Sequence, residues 1–384
     1  MPTTPLRNLF YRLMLPFCAP GCGQHPVSEI SGHTLNNPFL FERLIRKHHV
    51  MGSATLIASG NEIAVIYTSS DTPMHSAGPD TYFRVASITK AATAILTLRL
   101  SDLGILSLDH SVSSLFPDSR TKEALKGITL RHLLSHMSGI VDPPGLESSL
   151  ENNVPFTDIL PAARHYKPGH SFHYSNLGFG LVGSVLEQVL CKPVGSVYTE
   201  YLFSPLKMNA TLEGCLLPSD KIMPVIRILP YHRNNEMILT RLGSVPLEKP
   251  DPLRHYGHTA GSMYTDIASL YVLLQTMIKN HKHFLSDRAL LEIKRKHAEY
   301  GKASPTLSYG LGLLRIEDKH LSDSVIFGHQ GFAYGCADGA FWEENSGRVL
   351  IALNGGCSEA RVGRLGTANR DFLSWAFRKE LPLW

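Results

Sequence analysis

Ser87-Ile88-Thr89-Lys90 places a hydroxyl and an amine three residues apart, so a helix through them sets both side chains on one face. A serine hydroxyl attacks an acyl carbon only when an adjacent base takes its proton. Lys90, one turn along, is within reach, although a lysine at its ordinary pKa of about 10.4 is an ammonium at neutral pH. Phe83-Arg84-Val85-Ala86 reads as an extended approach into that helix. Ser87 would then sit at a helix N-terminus, where free N–H groups and the helix dipole favour developing negative charge. Taken alone, the tetrapeptide also fits an N-cap serine followed by a solvated lysine.

Two further stretches supply what a serine nucleophile lacks. Tyr174-Ser175-Asn176 lies between the loop Lys167-Pro168-Gly169 and an apolar helix, and His329-Gln330-Gly331 follows a β-run ending at Gly328. Tyr174, with an ordinary pKa of about 10, could become a phenolate if cations flank it. Asn176 offers a neutral amide to a substrate carbonyl and to the Lys90 amine. Singly, Tyr174 reads as a core tyrosine and Asn176 as a helix cap; their ordered combination with Ser87 and Lys90 carries the chemistry.

With these three motifs in this order, the chain resembles the serine β-lactamase-related and penicillin-binding-protein-like hydrolases. The match is to the class C-like branch, which also holds D,D-carboxypeptidases, D-aminopeptidases and carboxylesterases. The likeness continues through Gly104-Ile105-Leu106-Ser107-Leu108-Asp109, His132-Leu133-Leu134-Ser135-His136-Met137-Ser138-Gly139 and Ala260-Gly261-Ser262-Met263-Tyr264-Thr265-Asp266, and spans roughly residues 50–360. It implies a serine hydrolase with a covalent acyl-Ser87 intermediate, with Lys90 and Tyr174 as general base and acid. Asn176, His329, Gln330, Gly331 and Phe332 would surround the substrate. The resemblance places the two oxyanion donors at the backbone of Ser87 and Phe332, each worth about 3–4 kcal/mol. Gly331 would let the strand edge approach the substrate.

The third motif departs from the lactamase pattern, which has Lys-Thr-Gly where this chain has His329-Gln330-Gly331. A histidine there can still donate a hydrogen bond, or a charge when protonated, near Tyr174. Gln330 lacks the small hydroxyl that helps grip a substrate carboxylate. The expectation therefore moves to a peptidase of the D-amino-acid or D,D-carboxypeptidase type, or a carboxylesterase. A β-lactamase proper and a non-catalytic peptidoglycan- or penicillin-binding module are the alternatives.

These residues need a scaffold. Residues 54–68 form two β-rich runs around Ser59-Gly60-Asn61-Glu62, and short apolar runs recur at 324–328, 335–343 and 348–354. Residues 369–381 have helical periodicity, and 88–103, 129–136, 177–190 and 265–279 read as helices. Loops 142–156 and 217–256 are expected to shape the acyl pocket. The resulting fold class is α+β (an α/β sandwich): a β-lactamase/transpeptidase-like antiparallel sheet from both termini, about 50–85 and 308–384, flanked by helices. A mostly helical subdomain, about 105–300, is inserted, and the cleft between the two is the default site. Residues 1–35 read as an N-terminal extension, expected to be poorly ordered, and 36–384 as the hydrolase domain.

Composition narrows the function further. The 384 residues are 43% hydrophobic and 18% charged, with a formal charge of +4 spread along the chain, so no nucleic-acid partner is expected. The expected partner is a small-molecule or peptide substrate. No run of 18 apolar residues predicts a membrane span. Arg7 and Arg12 precede Leu13-Met14-Leu15, but Pro16 and Pro20 interrupt the apolar stretch and no A-x-A site follows. This favours an ordinary extension and a cytoplasmic location, with a cryptic export signal and an exported or cell-envelope location as the alternative. Six scattered cysteines carry no zinc spacing and read as free thiols, with disulfides, which the even count permits, as the alternative. His132 and His136, at i and i+4, would share a helix face as zinc ligands can, but Leu133 stands where a zinc protease has glutamate. Neither metal nor cofactor is expected. His165, His170 and His173 cluster just before Tyr174 and read as polar surface residues, with a place on the cleft rim as the alternative.

Overall fold

In a computed structural model, the described residues are 29–32, 38–69, 76–228, 232–233, 246–302 and 304–377, with a few helical positions before residue 15. Cys18, Cys22 and most of the N-terminal extension lie outside them. Nine strands form one antiparallel sheet: β1 (Glu29–Gly32), β2 (Ser53–Ser59), β3 (Glu62–Thr68), β4 (Ala298–Glu299), β5 (Leu307–Tyr309), β6 (Leu314–Ile316), β7 (Ile326–Ala333), β8 (Cys336–Glu343) and β9 (Val349–Asn354). Their spatial order is β1-β3-β2-β9-β8-β7-β6-β5-β4, so the two ends of the chain meet where β2 pairs with β9.

Strand alternation distributes side chains between two cores. Leu56, Trp342 and Ile351 face one core, while their neighbours Ile57, Phe341 and Leu350 face the other. Among the helices are α1 (Pro38–Lys47), α2 (Thr89–Asp102), α3 (Leu130–Leu134), α4 (Asn176–Leu190), α5 (Ile267–Ile278) and α6 (Thr367–Phe377). Phe41 and Ile45 of α1 and Phe372 and Leu373 of α6 fill the second core. Residues of α2 and α5 fill the first, and α2 is apolar on nearly every side, as a central helix must be. It ends where Gly104 takes a left-handed φ of 73° and its N–H bonds back to the Ser101 carbonyl.

Several expectations need correction. Within the segment read as an extension, Glu29–Gly32 is an edge strand paired with β3. Phe83–Arg84 does not join the main sheet; it pairs with Tyr264–Thr265, which also pairs with Ala210–Thr211, in a separate three-stranded sheet. The expected helical span also contributes β4 to the main sheet. His132 and His136 do not share a helix face, because α3 stops at Leu134 and His136 has a left-handed φ of 58°. His132 instead closes a reciprocal capping box with Thr129. Residues 378–381, the end of the expected last helix, lie outside the described residues.

Candidate active site

The Ser87 turn is held in an unusual backbone shape from several sides. Phe83–Arg84 leads into a single 3₁₀ turn, Ala86–Ile88, and α2 begins at Thr89, so Ser87 lies just before the helix rather than in it. Ala86 has φ 47°, a left-handed conformation costing a non-glycine residue about 1–2 kcal/mol. Three contacts hold it there: Val85 N–H donates to the Met263 carbonyl (3.0 Å), Thr89 Oγ1 donates to the Ala86 carbonyl (2.6 Å), and Met263 N–H donates to Thr89 Oγ1 (3.1 Å). Gly331 of β7 presses on the same turn. A Cβ at Gly331 would lie 2.4 Å from the Val85 carbonyl oxygen, so the close approach this glycine permits is to the Ser87 turn rather than to substrate.

Lys90 is fully buried in α2. Its Nζ lies 3.0 Å from Ser87 Oγ, 2.9 Å from Asn176 Oδ1 and 2.6 Å from the Ala260 carbonyl oxygen. Burial brings its pKa from 10.5 to about 7; Arg84 adds to this and Asp142 opposes it. The sequence-based reading took Lys90 as an ammonium, because burial is not visible in a tetrapeptide.

Tyr174 completes the group. Its phenol stands beside the Ser87 side chain, and Lys90 Nζ sits 5.0 Å from its ring centroid. Burial pushes the phenol pKa well up, opposite to the phenolate anticipated from flanking cations. The environment is aromatic: the His136 ring lies 4.2 Å from that of Tyr174, and Tyr309 and His329 stand behind it.

Asn176 opens α4, and its position follows from capping. The Asp142 carboxylate accepts from Ser175 Oγ (2.6 Å), Asn176 N–H (2.8 Å) and Leu177 N–H (2.9 Å), meeting the unpaired donors of the first turn. Ser175 Oγ also caps Gly178 N–H, and Ser175 N–H donates to His136 Nδ1. Because Asn176 Oδ1 accepts from Lys90, its NH₂ group is left to donate elsewhere.

The third motif lies on β7. Strand β6 pairs only with Ile326, Phe327 and Gly328, so that edge of β7 has no main-sheet partner from His329 to Ala333 among the described residues. His329 does not act as anticipated. Its Nδ1–H donates to the Gln330 carbonyl (2.7 Å), leaving Nε2 to accept from the Tyr309 hydroxyl (2.9 Å). Burial, followed by the Lys90 charge, lowers its pKa to about 3, so the ring is neutral and aims no proton at Tyr174. The Gln330 amide is also committed: Nε2 donates to the Arg364 carbonyl (2.5 Å) and Oε1 accepts from Gly366 N–H (3.0 Å). It thereby ties β7 to the hairpin of Arg361–Val362 and Leu365–Gly366. Phe332 cushions that hairpin, with the Arg361 guanidinium 4.0 Å from its ring centroid.

Ser87, Tyr174, Asn176, His329, Gln330 and Phe332 line one open cleft of about 520 Å³, with Asp142, Arg361 and Arg364 among their neighbours. Sequence reasoning missed Asp142, Tyr309, Arg361 and Arg364, which reach the site through long-range pairing and carry no local pattern. Of the loops expected to shape the pocket, 142–156 contributes Asp142; no described residue of 217–256 lines it, and 229–231 and 234–245 lie outside the described residues. No group of three His, Cys, Asp or Glu among the described residues could hold a metal ion. No single helix among them is long and apolar enough to cross a membrane.

Comparison with known proteins places this geometry. Protein flp of Staphylococcus aureus (strain MW2) is 29% identical over 183 residues, 45% of this chain; the match spans 36% of that protein's length. Esterase EstB of Burkholderia gladioli is 26% identical over 377 residues, 86% of this chain and 93% of the esterase. Among solved structures, the D-amino acid amidase from Ochrobactrum anthropi SV3 complexed with L-phenylalanine superposes with TM-score 0.67 at 22% identity, covering 89% of this chain and 97% of that one. The penicillin binding protein from Bacillus halodurans gives TM-score 0.65 at 20% identity, covering 85% and 96%. These structures share the fold of this chain. The Beta-lactamase family model matches residues 40–355, and the chain belongs to that family.

Proposed function

We propose that this hydrolase of the beta-lactamase family works through a covalent acyl ester on Ser87, with Lys90 as the base and Tyr174 as the acid. The observation that carries this reading is the partner set of Lys90. Two of its three neighbours, Asn176 Oδ1 and the Ala260 carbonyl, can only accept hydrogen bonds. A neutral amine has two N–H bonds and one lone pair, so satisfying both acceptors turns the lone pair to Ser87 Oγ.

In acylation, the Ser87 proton passes to Lys90 as Oγ bonds to the acyl carbon. The backbone N–H groups of Ser87 and Phe332 stabilise the oxyanion, and Tyr174 gives its proton to the departing group as the acyl–leaving-group bond breaks. The Lys90 ammonium reprotonates Tyr174 once the leaving group has gone. In deacylation, water loses a proton to the Lys90 amine as it bonds to the acyl carbon, and that proton passes to Ser87 Oγ as the Oγ–acyl bond breaks, so every group is restored. Asn176 holds the substrate carbonyl through its free NH₂ group.

The substrates that fit are esters and D-amino-acid amides or peptides. Gln330 is tied to the 361–366 hairpin, so it does not replace the hydroxyl of a lactamase third motif. The near full-length match to an esterase points the same way. Intact-mass labelling with a fluorophosphonate is the test: one adduct is expected on the wild type and none on Ser87→Ala. An unlabelled wild type, or an equal adduct on the variant, removes the reading. A parallel screen of p-nitrophenyl esters, D-amino-acid amides, D-Ala-D-Ala peptides and a chromogenic cephalosporin then ranks the substrates.

A further inference from the structure

The cleft has an aromatic wall that the reaction scheme does not use. Among the described residues, Phe172, Tyr174, Tyr300 and Phe332 are half-buried aromatics packed against the edge of the second core, and all four line the cleft. Two of them are already engaged. Tyr174 belongs to the reacting group, and the Arg361 guanidinium lies 4.0 Å from the centroid of the Phe332 ring. Phe172 and Tyr300 remain, with ring centroids 4.5 Å apart and planes inclined at 46°.

The chain holds this pair in place. Tyr300 follows β4, and its N–H donates to the Leu307 carbonyl (3.2 Å). His173, next to Phe172, donates its N–H to the His136 carbonyl (2.9 Å). The Tyr309 ring lies 5.7 Å from that of Phe172 and 6.1 Å from that of Tyr300, and it is itself fixed by the bond from its hydroxyl to His329. Val141 and Leu314 continue the apolar lining. Positioned rings that are left partly uncovered gain by packing against a further ring, offset or edge-on.

Tyr174 decides which part of a substrate meets this wall. Phe172 stands two residues before it in the chain, and the Tyr309 ring that backs Phe172 and Tyr300 lies 6.5 Å from the Tyr174 ring. In the scheme above, Tyr174 gives its proton to the departing group, so the residues flanking Tyr174 flank that group. We propose that Phe172 and Tyr300 are specificity residues that seat an aromatic ring carried by the leaving group. The favoured substrates are then esters of arylmethyl alcohols and amides of arylmethyl amines. The proposal rests on the acyl-serine reading, with Tyr174 as the acid. The wall itself makes and breaks no bond; it holds the leaving group where Tyr174 can reach its oxygen or nitrogen.

The test uses two pairs of esters. Benzyl acetate and cyclohexylmethyl acetate differ in the ring of the leaving alcohol, whereas methyl phenylacetate and methyl cyclohexylacetate differ in the ring of the acyl group. The saturated ring offers as much apolar surface as the aromatic one, so area alone favours neither. Each kcat/KM is divided by the rate of hydroxide-catalysed hydrolysis of the same ester, which removes intrinsic reactivity. Wild type is expected to favour benzyl over cyclohexylmethyl acetate by about 3- to 10-fold, and to separate the acyl pair by less than about twofold. Phe172→Leu and Tyr300→Leu should abolish the leaving-group preference, and Tyr300→Phe, which keeps the ring, should retain it. Each preference is a ratio within one variant, so it does not depend on how much of that variant folds; where leucine prevents folding altogether, methionine at the same position gives the same comparison. A wild type that treats the two leaving groups alike overturns the proposal. So does a preference carried by the acyl pair, one untouched in both leucine variants, or one lost as fully in Tyr300→Phe as in Tyr300→Leu. A wild type that fluorophosphonate does not label overturns the acyl-serine reading and this proposal together; a labelled wild type without the preference overturns this proposal alone.

Discussion

Lys90 Nζ lies 3.0 Å from Ser87 Oγ, and of its three hydrogen-bond partners among the described residues Ser87 alone can give up a proton. Burial lowers the amine's pKa to about 7. The base form is the unprotonated one, so kcat/KM for an ester should rise with pH through a midpoint near 7 and level off above it. A general base contributes about 10²- to 10⁴-fold, which sets the depth of the acid limb and the loss in Lys90→Met. His136 and His329, the buried histidines nearby, are pushed below their ordinary range and are already neutral there. His329→Gln should therefore leave the midpoint in place. A midpoint that vanishes in this variant would transfer the limb from lysine to histidine.

The same burial couples Lys90 to folding. Its folded pKa, about 7, lies below the 10.5 of the exposed side chain. Between these values the unfolded chain binds more protons than the folded one, so stability rises as pH increases through that window. Below pH 7 the cost of burying the amine is fully present. Urea unfolding of wild type and Lys90→Met at pH 7 and pH 10 isolates the effect. The difference should move in the wild type's favour by a few kcal/mol on raising the pH, since each pKa unit is about 1.4 kcal/mol. A difference that stays flat would mean that Lys90 is solvated.

Tyr174 is held protonated by its burial, so its part is to donate. Tyr174→Phe keeps the ring against His136 and removes only the hydroxyl. Turnover of a D-amino-acid amide should fall about 10²- to 10³-fold, with the melting temperature within a few degrees of wild type. Leaving-group dependence gives a sharper check. A nitrophenolate departs without a proton, whereas an amide nitrogen needs one. The loss should therefore be larger for a D-amino-acid amide than for the nitrophenyl ester, and equal losses would remove the acid role.

How much of this was legible in the sequence depended on range. Ser87 and Lys90 share one turn of chain, and Tyr174 and Asn176 lie two residues apart, so spacing alone brought each pair together. The sheet from both termini was readable because β2, β3, β8 and β9 alternate or run apolar between clear turns. Phe83–Arg84 was not, because a two-residue strand has no periodicity of its own and its partner lies near residue 264. Charge states were hidden for a different reason: a lysine and a tyrosine both read as ordinary until burial is known, and burial moved them opposite to expectation. His132 and His136 misled because the i, i+4 rule assumes the helix continues, and Leu134 ends it.

Gln330 gives the last prediction. In the sequence it is a missing hydroxyl; in the fold, both ends of its amide hold the 361–366 hairpin, from which Arg361 and Arg364 line the cleft. Gly366 fits there because a Cβ would lie 2.3 Å from the Phe332 ring. The clamp therefore fixes the hairpin that brings two cations, Arg361 and Arg364, to the cleft. Gln330→Ala should free the hairpin while leaving Ser87, Lys90 and Tyr174 untouched. Its effect should be confined to charged substrates: KM for an acyl ester bearing a carboxylate rises about fivefold, the ratio expected for a part-exposed charge pair of about 1 kcal/mol, while KM for a neutral ester stays constant. Arg364→Ala should reproduce this change, and adding salt should shrink it in wild type by screening. Equal rises for charged and neutral esters would mean that Gln330 shapes the acyl pocket itself, and an unchanged KM for both would mean that the hairpin holds without its clamp.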